Sequence, residues 1–134
     1  MKPENYRKRL ATKETKWLKE KAIENFNAFI RDRDEGLSCI SCDEYRDLCA
    51  GHYWAAGNFE SVRFNELNVN GQCEQCNGHL HGNLILYGKG LVKRHGQEAI
   101  DKLDWIIGLE RQTGHYKRDR TTLIELIMKY KGGN

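Results

Sequence analysis

No stretch of this 134-residue sequence approaches the roughly 20 consecutive apolar residues that a bilayer-spanning helix needs. The opening residues, MKPENYRKRL, are charged throughout and lack the apolar region of a secretory signal. Internal repeats and low-complexity tracts are missing too, so a repeat array is excluded. Strong net charge is also absent: the formal balance is only +3. A chain with neither span nor export signal is expected in the cytoplasm. Thiols stay reduced there, and paired cysteines are read as metal ligands before disulfides.

The small positive charge is unevenly spread. Residues 1–33 hold 10 Lys/Arg against 5 Asp/Glu, whereas residues 34–134 hold 12 against 14. A basic face attracts a phosphate backbone, and a merely solvated helix face is the competing reading.

The length suits a single domain over 1–134, with a core small enough for a metal staple to help. Three zones divide it. Residues 1–36 read as a basic N-terminal helix: Leu18, Ala22, Phe26, Phe29 and Ile30 recur at helical steps from about residue 4 to 34, and Gly36 marks the stop. Residues 37–83 have no helical period until their end; Cys49–Trp54 and Val62–Leu67 are candidate strands, and a short helix is expected from Cys76 to about His81. Residues 84–134 return to helix, with Ala99, Ile100, Leu103, Ile106 and Ile107 on one face and Thr122/Glu125 resembling a capping box. Trp54 is expected in the core and Trp105 buried in the C-terminal helices. The expected class is therefore α+β, mostly helical.

The middle zone carries the chemistry. Cys39/Cys42 and Cys73/Cys76 are two Cys-x-x-Cys knuckles. Facing each other, they supply four thiolates in the tetrahedral set that Zn2+ accepts. Such a closed site is structural; two unrelated pairs of buried cysteines are the alternative. Cys49 reads as a small buried hydrophobe. Between and after the knuckles stand His52, Asn68 and Asn77. His81 lies four residues beyond Asn77, a helical spacing at which both can share one cation. Asn83 follows just past the expected helix end, and His79, His95 and His115 read as surface residues.

The order Cys-x-x-Cys, His, Asn, Cys-x-x-Cys-Asn resembles the HNH (ββα-metal) endonucleases, particularly their zinc-stapled members. That resemblance implies a zinc-stapled ββα-metal core between the long N-terminal helix and the C-terminal helices. It implies His52 as general base, Asn68 as the residue fixing loop and histidine, and Asn77 as the residue facing a catalytic Mg2+ or Mn2+, with His81 and Asn83 as further candidate ligands. The family often has Asp or His before the base as a metal ligand; here that residue is Gly51.

A narrower likeness rests on Asn27-Ala28-Phe29-Ile30-Arg31, Cys39-Ile40-Ser41-Cys42, Ala50-Gly51-His52-Tyr53, Arg63-Phe64-Asn65-Glu66, Gln72-Cys73, Cys76-Asn77, Gly82-Asn83-Leu84 and Gly96-Gln97-Glu98-Ala99. Together these resemble the lambda NinG (Rap) family of phage recombination endonucleases over about residues 20–130. The resemblance implies a metal-dependent, structure-specific endonuclease that cleaves branched DNA, Holliday junctions and D-loops, in a host bacterial cytoplasm. It also implies that a cysteine-containing N-terminal segment of lambda-type members has no counterpart here. A homodimer is the expected assembly, because a four-way junction has two strands to cut. The alternative is a non-catalytic zinc-binding module that recognises DNA, an option that Gly51 keeps open.

Overall fold

The computed structural model describes residues 1–114 and 116–132; the surface expectation for His115 lies outside them. The elements run α1 (Pro3–Leu10), α2 (Thr15–Arg33), β1 (Leu48–His52), a 3-10 turn (Glu60–Val62), β2 (Val69–Cys73), a π-helical turn (Gln75–His79), α3 (Leu84–His95), α4 (Gln97–Thr113) and α5 (Arg120–Lys129). The class is mixed and mostly helical, with one two-stranded sheet. The chain forms two compact units, Met1–Phe29 with Arg118–Asn134, and Ile30–Lys117.

In the first unit, the single N-terminal helix expected over 1–36 is two helices broken at 11–14. Thr12 turns its hydroxyl back onto the Arg9 carbonyl at 2.7 Å, the local competition that makes threonine a weak helix interior residue. The Arg120 guanidinium then takes the freed Ala11 and Lys13 carbonyls at 3.2 and 2.6 Å. Leu10, Leu18, Ala22, Phe26, Leu123 and Ile127 are buried, and Phe26 meets Tyr130 edge-on at 4.9 Å. Helix α5 is capped by Asp119, whose carboxylate accepts the Thr122 N–H at 2.8 Å. Thr122 is thus inside the first turn rather than at the cap, because an Asp three residues earlier is the better acceptor for that amide.

In the second unit, β1 and β2 pair antiparallel with Leu48 opposite Cys73, Cys49 opposite Gln72, Gly51 opposite Asn70 and His52 opposite Val69. Residues 62–67 are a turn rather than a strand. The Asn65 side chain accepts the Leu67 N–H at 2.9 Å, and such local bonding favours a turn over a ladder. The core joins Ile40, Val62, Tyr87, Leu91, Leu103 and Ile107, with Trp54 packed half-buried against it. Trp105 faces outward at 68% exposure, since the apolar stripe of α4 runs through Ala99, Leu103 and Ile107 instead. Gly90 lets α3 touch the first knuckle: a Cβ there would lie 1.9 Å from the Ile40 carbonyl oxygen.

Candidate functional site

The sulfurs of Cys39, Cys42, Cys73 and Cys76 all lie within 4.8 Å of one another. Four sulfurs bound tetrahedrally to one zinc at about 2.3 Å stand about 3.8 Å apart. The Cys42–Cys73 separation is 3.8 Å. The cluster can therefore hold a metal ion such as zinc. Cys39, Cys73 and Cys76 are buried, which suits a closed structural site. Burial alone would push the Cys39 thiol up. The backbone amides of Cys73, Cys42 and Ser41 outweigh it and bring that thiol down to about 7. Burial pushes Cys42 and Cys76 the other way, so the cluster collects its full negative charge only against a cation. Asn83 sits in the left-handed region at φ 43° and donates its side-chain amide to the Cys76 sulfur at 3.4 Å.

His52 closes β1 and is largely withdrawn from solvent. Its Nε2 lies 3.0 Å from the Arg63 carbonyl oxygen. A carbonyl only accepts, so Nε2 carries the proton and Nδ1 keeps the lone pair. Burial holds the imidazole below its usual pKa, and hence neutral near pH 7. Arg63 itself is half-buried and paired with Glu60 at 2.8 Å, while Phe64 is buried beneath the loop.

Asn68 is fully buried. Its Oδ1 accepts the Trp54 N–H at 2.8 Å, and its Nδ2 donates to the Trp54 and Val62 carbonyls at 3.0 and 3.1 Å. Both ends of the β1–β2 connection are thereby fastened to one side chain. The Tyr87 hydroxyl adds a bond to the Gly51 carbonyl at 2.6 Å and accepts from Asn70 Nδ2 at 3.2 Å. Asn70 in turn accepts from Arg33 and contacts His95 at 3.1 Å; His95 is exposed, as read, and reaches inward only through this bond. Asp34 accepts the Gly71 N–H at 2.7 Å. The sequence reading assigned no role to Arg33, Asp34, Asn70 or Tyr87. Arg33 and Asp34 stand inside the charged run 31–35 and carried no signal; Asn70 after Val69 and Tyr87 after Leu86 were polar groups beside apolar ones.

Asn77 is exposed on the π-helical turn, with its side chain in hydrogen-bonding reach of the Cys49 thiol. Cys49 is half-buried and donates to the Gln72 carbonyl at 3.0 Å. The proposed i, i+4 pairing of Asn77 with His81 does not form. The helical turn ends at His79, and His81 lies beyond it in the left-handed region at φ 51°. His79 is exposed, as read. Lys93 pairs loosely with Asp43 at 3.6 Å, and Arg94 donates to the Ser38 carbonyl.

The model of the family described as "Bacteriophage Lambda NinG protein" matches residues 2–133. The chain belongs to the NinG family. It is 44% identical over 90 residues to protein ninG of Escherichia phage lambda, covering 66% of this chain and 44% of that protein. Protein ninG of Enterobacteria phage H19B is 39% identical over 120 residues, covering 88% and 55%. Protein ninG of Salmonella phage P22 is 41% identical over 90 residues, covering 66% and 44%. The chain thus spans about half the length of these NinG relatives. No solved structure matches it. No helix among the described residues is long and apolar enough to cross a membrane.

Proposed function

We propose that this NinG chain is a metal-dependent, HNH-type endonuclease that cuts branched DNA such as Holliday junctions and D-loops, with zinc on its four cysteines. The observation that carries the reading is His52: a neutral, half-buried imidazole with Nε2–H fixed on a backbone carbonyl and a lone pair left on Nδ1. A group so oriented suits removal of a proton from water near pH 7. Asn68 holds the loop that supplies the Arg63 carbonyl, and so sets the histidine's angle.

A Mg2+ or Mn2+ ion, when bound, supplies positive charge against a phosphate oxygen. Residues able to hold it share one face of the hairpin. Cys49 and Gln72 are direct cross-strand partners and project to the same side, where Asn77 meets Cys49. A buried, unpartnered amide oxygen on that face fits a hard cation. Asn83, turned onto Cys76, is better suited to steadying the zinc thiolates. The zinc has no open position and takes no part in chemistry. The basic N-terminal helices suit attraction to a phosphate backbone, and a homodimer would present two such sites to opposed strands.

The second reading, a non-catalytic zinc module that recognises DNA, draws on Gly51, which brings no acidic ligand. Cleavage of a synthetic four-way junction with Mg2+ or Mn2+ separates the two. Replacing His52→Ala is expected to lower kcat by about 100-fold or more while junction binding stays near wild type. Absence of nicking by the wild type with every divalent cation tried, or equal cutting by the variant, refutes the enzyme.

A further inference from the structure

We infer that the side-chain oxygen of Gln72 is a direct ligand to the divalent cation of the hairpin site; this rests on the nuclease reading above. Gln72 lies mid-strand in β2 with no exposed surface. Its Nε2 donates to the Ser41 hydroxyl at 2.9 Å and to the Gly82 carbonyl at 2.6 Å. Since a carbonyl only accepts, the Gly82 contact fixes which end of the amide is nitrogen. The oxygen therefore points the other way, towards β1. There it is buried and has no hydrogen-bond partner. A buried acceptor left in that state calls for a water or an ion.

What it faces is Gly51. A Cβ on residue 51 would stand 2.1 Å from Gln72 Oε1 and 2.8 Å from Gln72 Cβ. The space that a side chain at 51 would fill is thus taken by Gln72, reaching diagonally from the neighbouring strand. The glycine and the glutamine are one device: the first makes room, and the second puts an oxygen there. The Cys49 thiol on the same face is already donated to the Gln72 carbonyl, which leaves the Gln72 side-chain amide as the oxygen donor that the ladder brings there. Neutral oxygens of this kind suit Mg2+ or Mn2+, and the absence of a carboxylate among them makes binding weak and reversible.

The test uses the full zinc-loaded chain, with Mn2+ affinity read by electron paramagnetic resonance and zinc content measured in parallel. Gln72→Ala is expected to keep zinc and bind Mn2+ about 10- to 100-fold more weakly. Gly51→Asp combined with Gln72→Ala removes the clash, returns an oxygen to the same place and should restore at least wild-type affinity. Without any substitution, saturating Mg2+ should shift the Gln72 side-chain Cδ and NH2 resonances, and this measurement decides if Gln72→Ala fails to fold. Unmoved Gln72 resonances at saturation, or a zinc-loaded Gln72→Ala that binds Mn2+ like the wild type, overturns the inference. If that variant also cuts junctions normally, the nuclease reading stands and only this assignment falls. A wild type that binds no second cation overturns both.

Discussion

Replacing Asn68→Ala removes three hydrogen bonds at once. The Trp54 N–H, the Trp54 carbonyl and the Val62 carbonyl all lose their partner, and Asn68 has no exposed surface through which water could replace it. At about 1 kcal/mol of net stabilisation per bond, the loss starts near 3 kcal/mol, and uncompensated desolvation of the three groups raises it to about 5 kcal/mol. Asn68→Asp keeps the shape and the acceptor for Trp54 N–H but turns a second oxygen towards two carbonyls, so it should cost at least as much. Urea unfolding of the zinc-loaded protein, followed by circular dichroism, gives the difference. Amide exchange at Trp54 reports on the same bonds locally, and its protection should fall with them. A loss below about 1 kcal/mol with Trp54 protection unchanged would refute the claim that Asn68 fastens the loop.

Three further outcomes are expected. Cys73→Ser should lose the bound zinc and lower the melting temperature, measured by metal analysis and calorimetry; an equally stable, zinc-free protein sinks the structural site. Gly90→Ala should cost about 1–3 kcal/mol, because the new methyl meets the Ile40 carbonyl, whereas Gly108→Ala, with nothing near its Cβ, should be neutral or stabilising by up to about 1 kcal/mol in the same denaturation assay. Burial lowers the folded pKa of His52, so its contribution to stability is present above the unfolded value of about 6.5 and lost as pH falls below it. The wild-type melting temperature should drop more steeply from pH 7 to about 5 than that of His52→Asn; this difference isolates His52, since His95 is shifted in the same direction, and parallel curves contradict the burial argument.

The cysteine cluster was legible because two Cys-x-x-Cys knuckles state their own geometry: adjacent thiols on tight turns need only be brought face to face. The C-terminal helices were legible for a similar reason, as Ala99, Leu103 and Ile107 keep a period that survives folding. The N-terminal break was not, since Thr12 and the distant Arg120 create it together. The Asn77–His81 pairing failed because helical spacing was applied across a turn that opens to π geometry and ends before His81. Gln72 was hidden for a different reason. Gly51 was read as a missing side chain, whereas the space is occupied from the opposite strand, a relation visible only once Gly51 and Asn70 are known to be partners.

The same pairing explains what a metal-binding cysteine cluster and a buried amide would do for a protein with such short strands. Two five-residue strands joined by a long connection form a marginal hairpin, with little local drive to choose one register. A slip by one residue would send every side chain to the opposite face, exchanging His52 with Gly51. At one end, Cys73 is both the last residue of β2 and a member of the metal cluster, so the register of Leu48 opposite Cys73 is tied to the knuckles. At the other end, Asn68 grips Trp54 just past His52, and Tyr87 holds the Gly51 carbonyl. The two clamps lie at opposite ends of the ladder, and their losses should differ in kind. Without zinc the first knuckle and the start of β1 should loosen; without Asn68 the His52 end should fray while the cysteines still bind metal. Amide exchange along Leu48–His52 in Cys73→Ser and Asn68→Ala therefore distinguishes a hairpin clamped from both ends from one that depends on the metal alone, because only the first predicts opposite gradients of protection in the two variants.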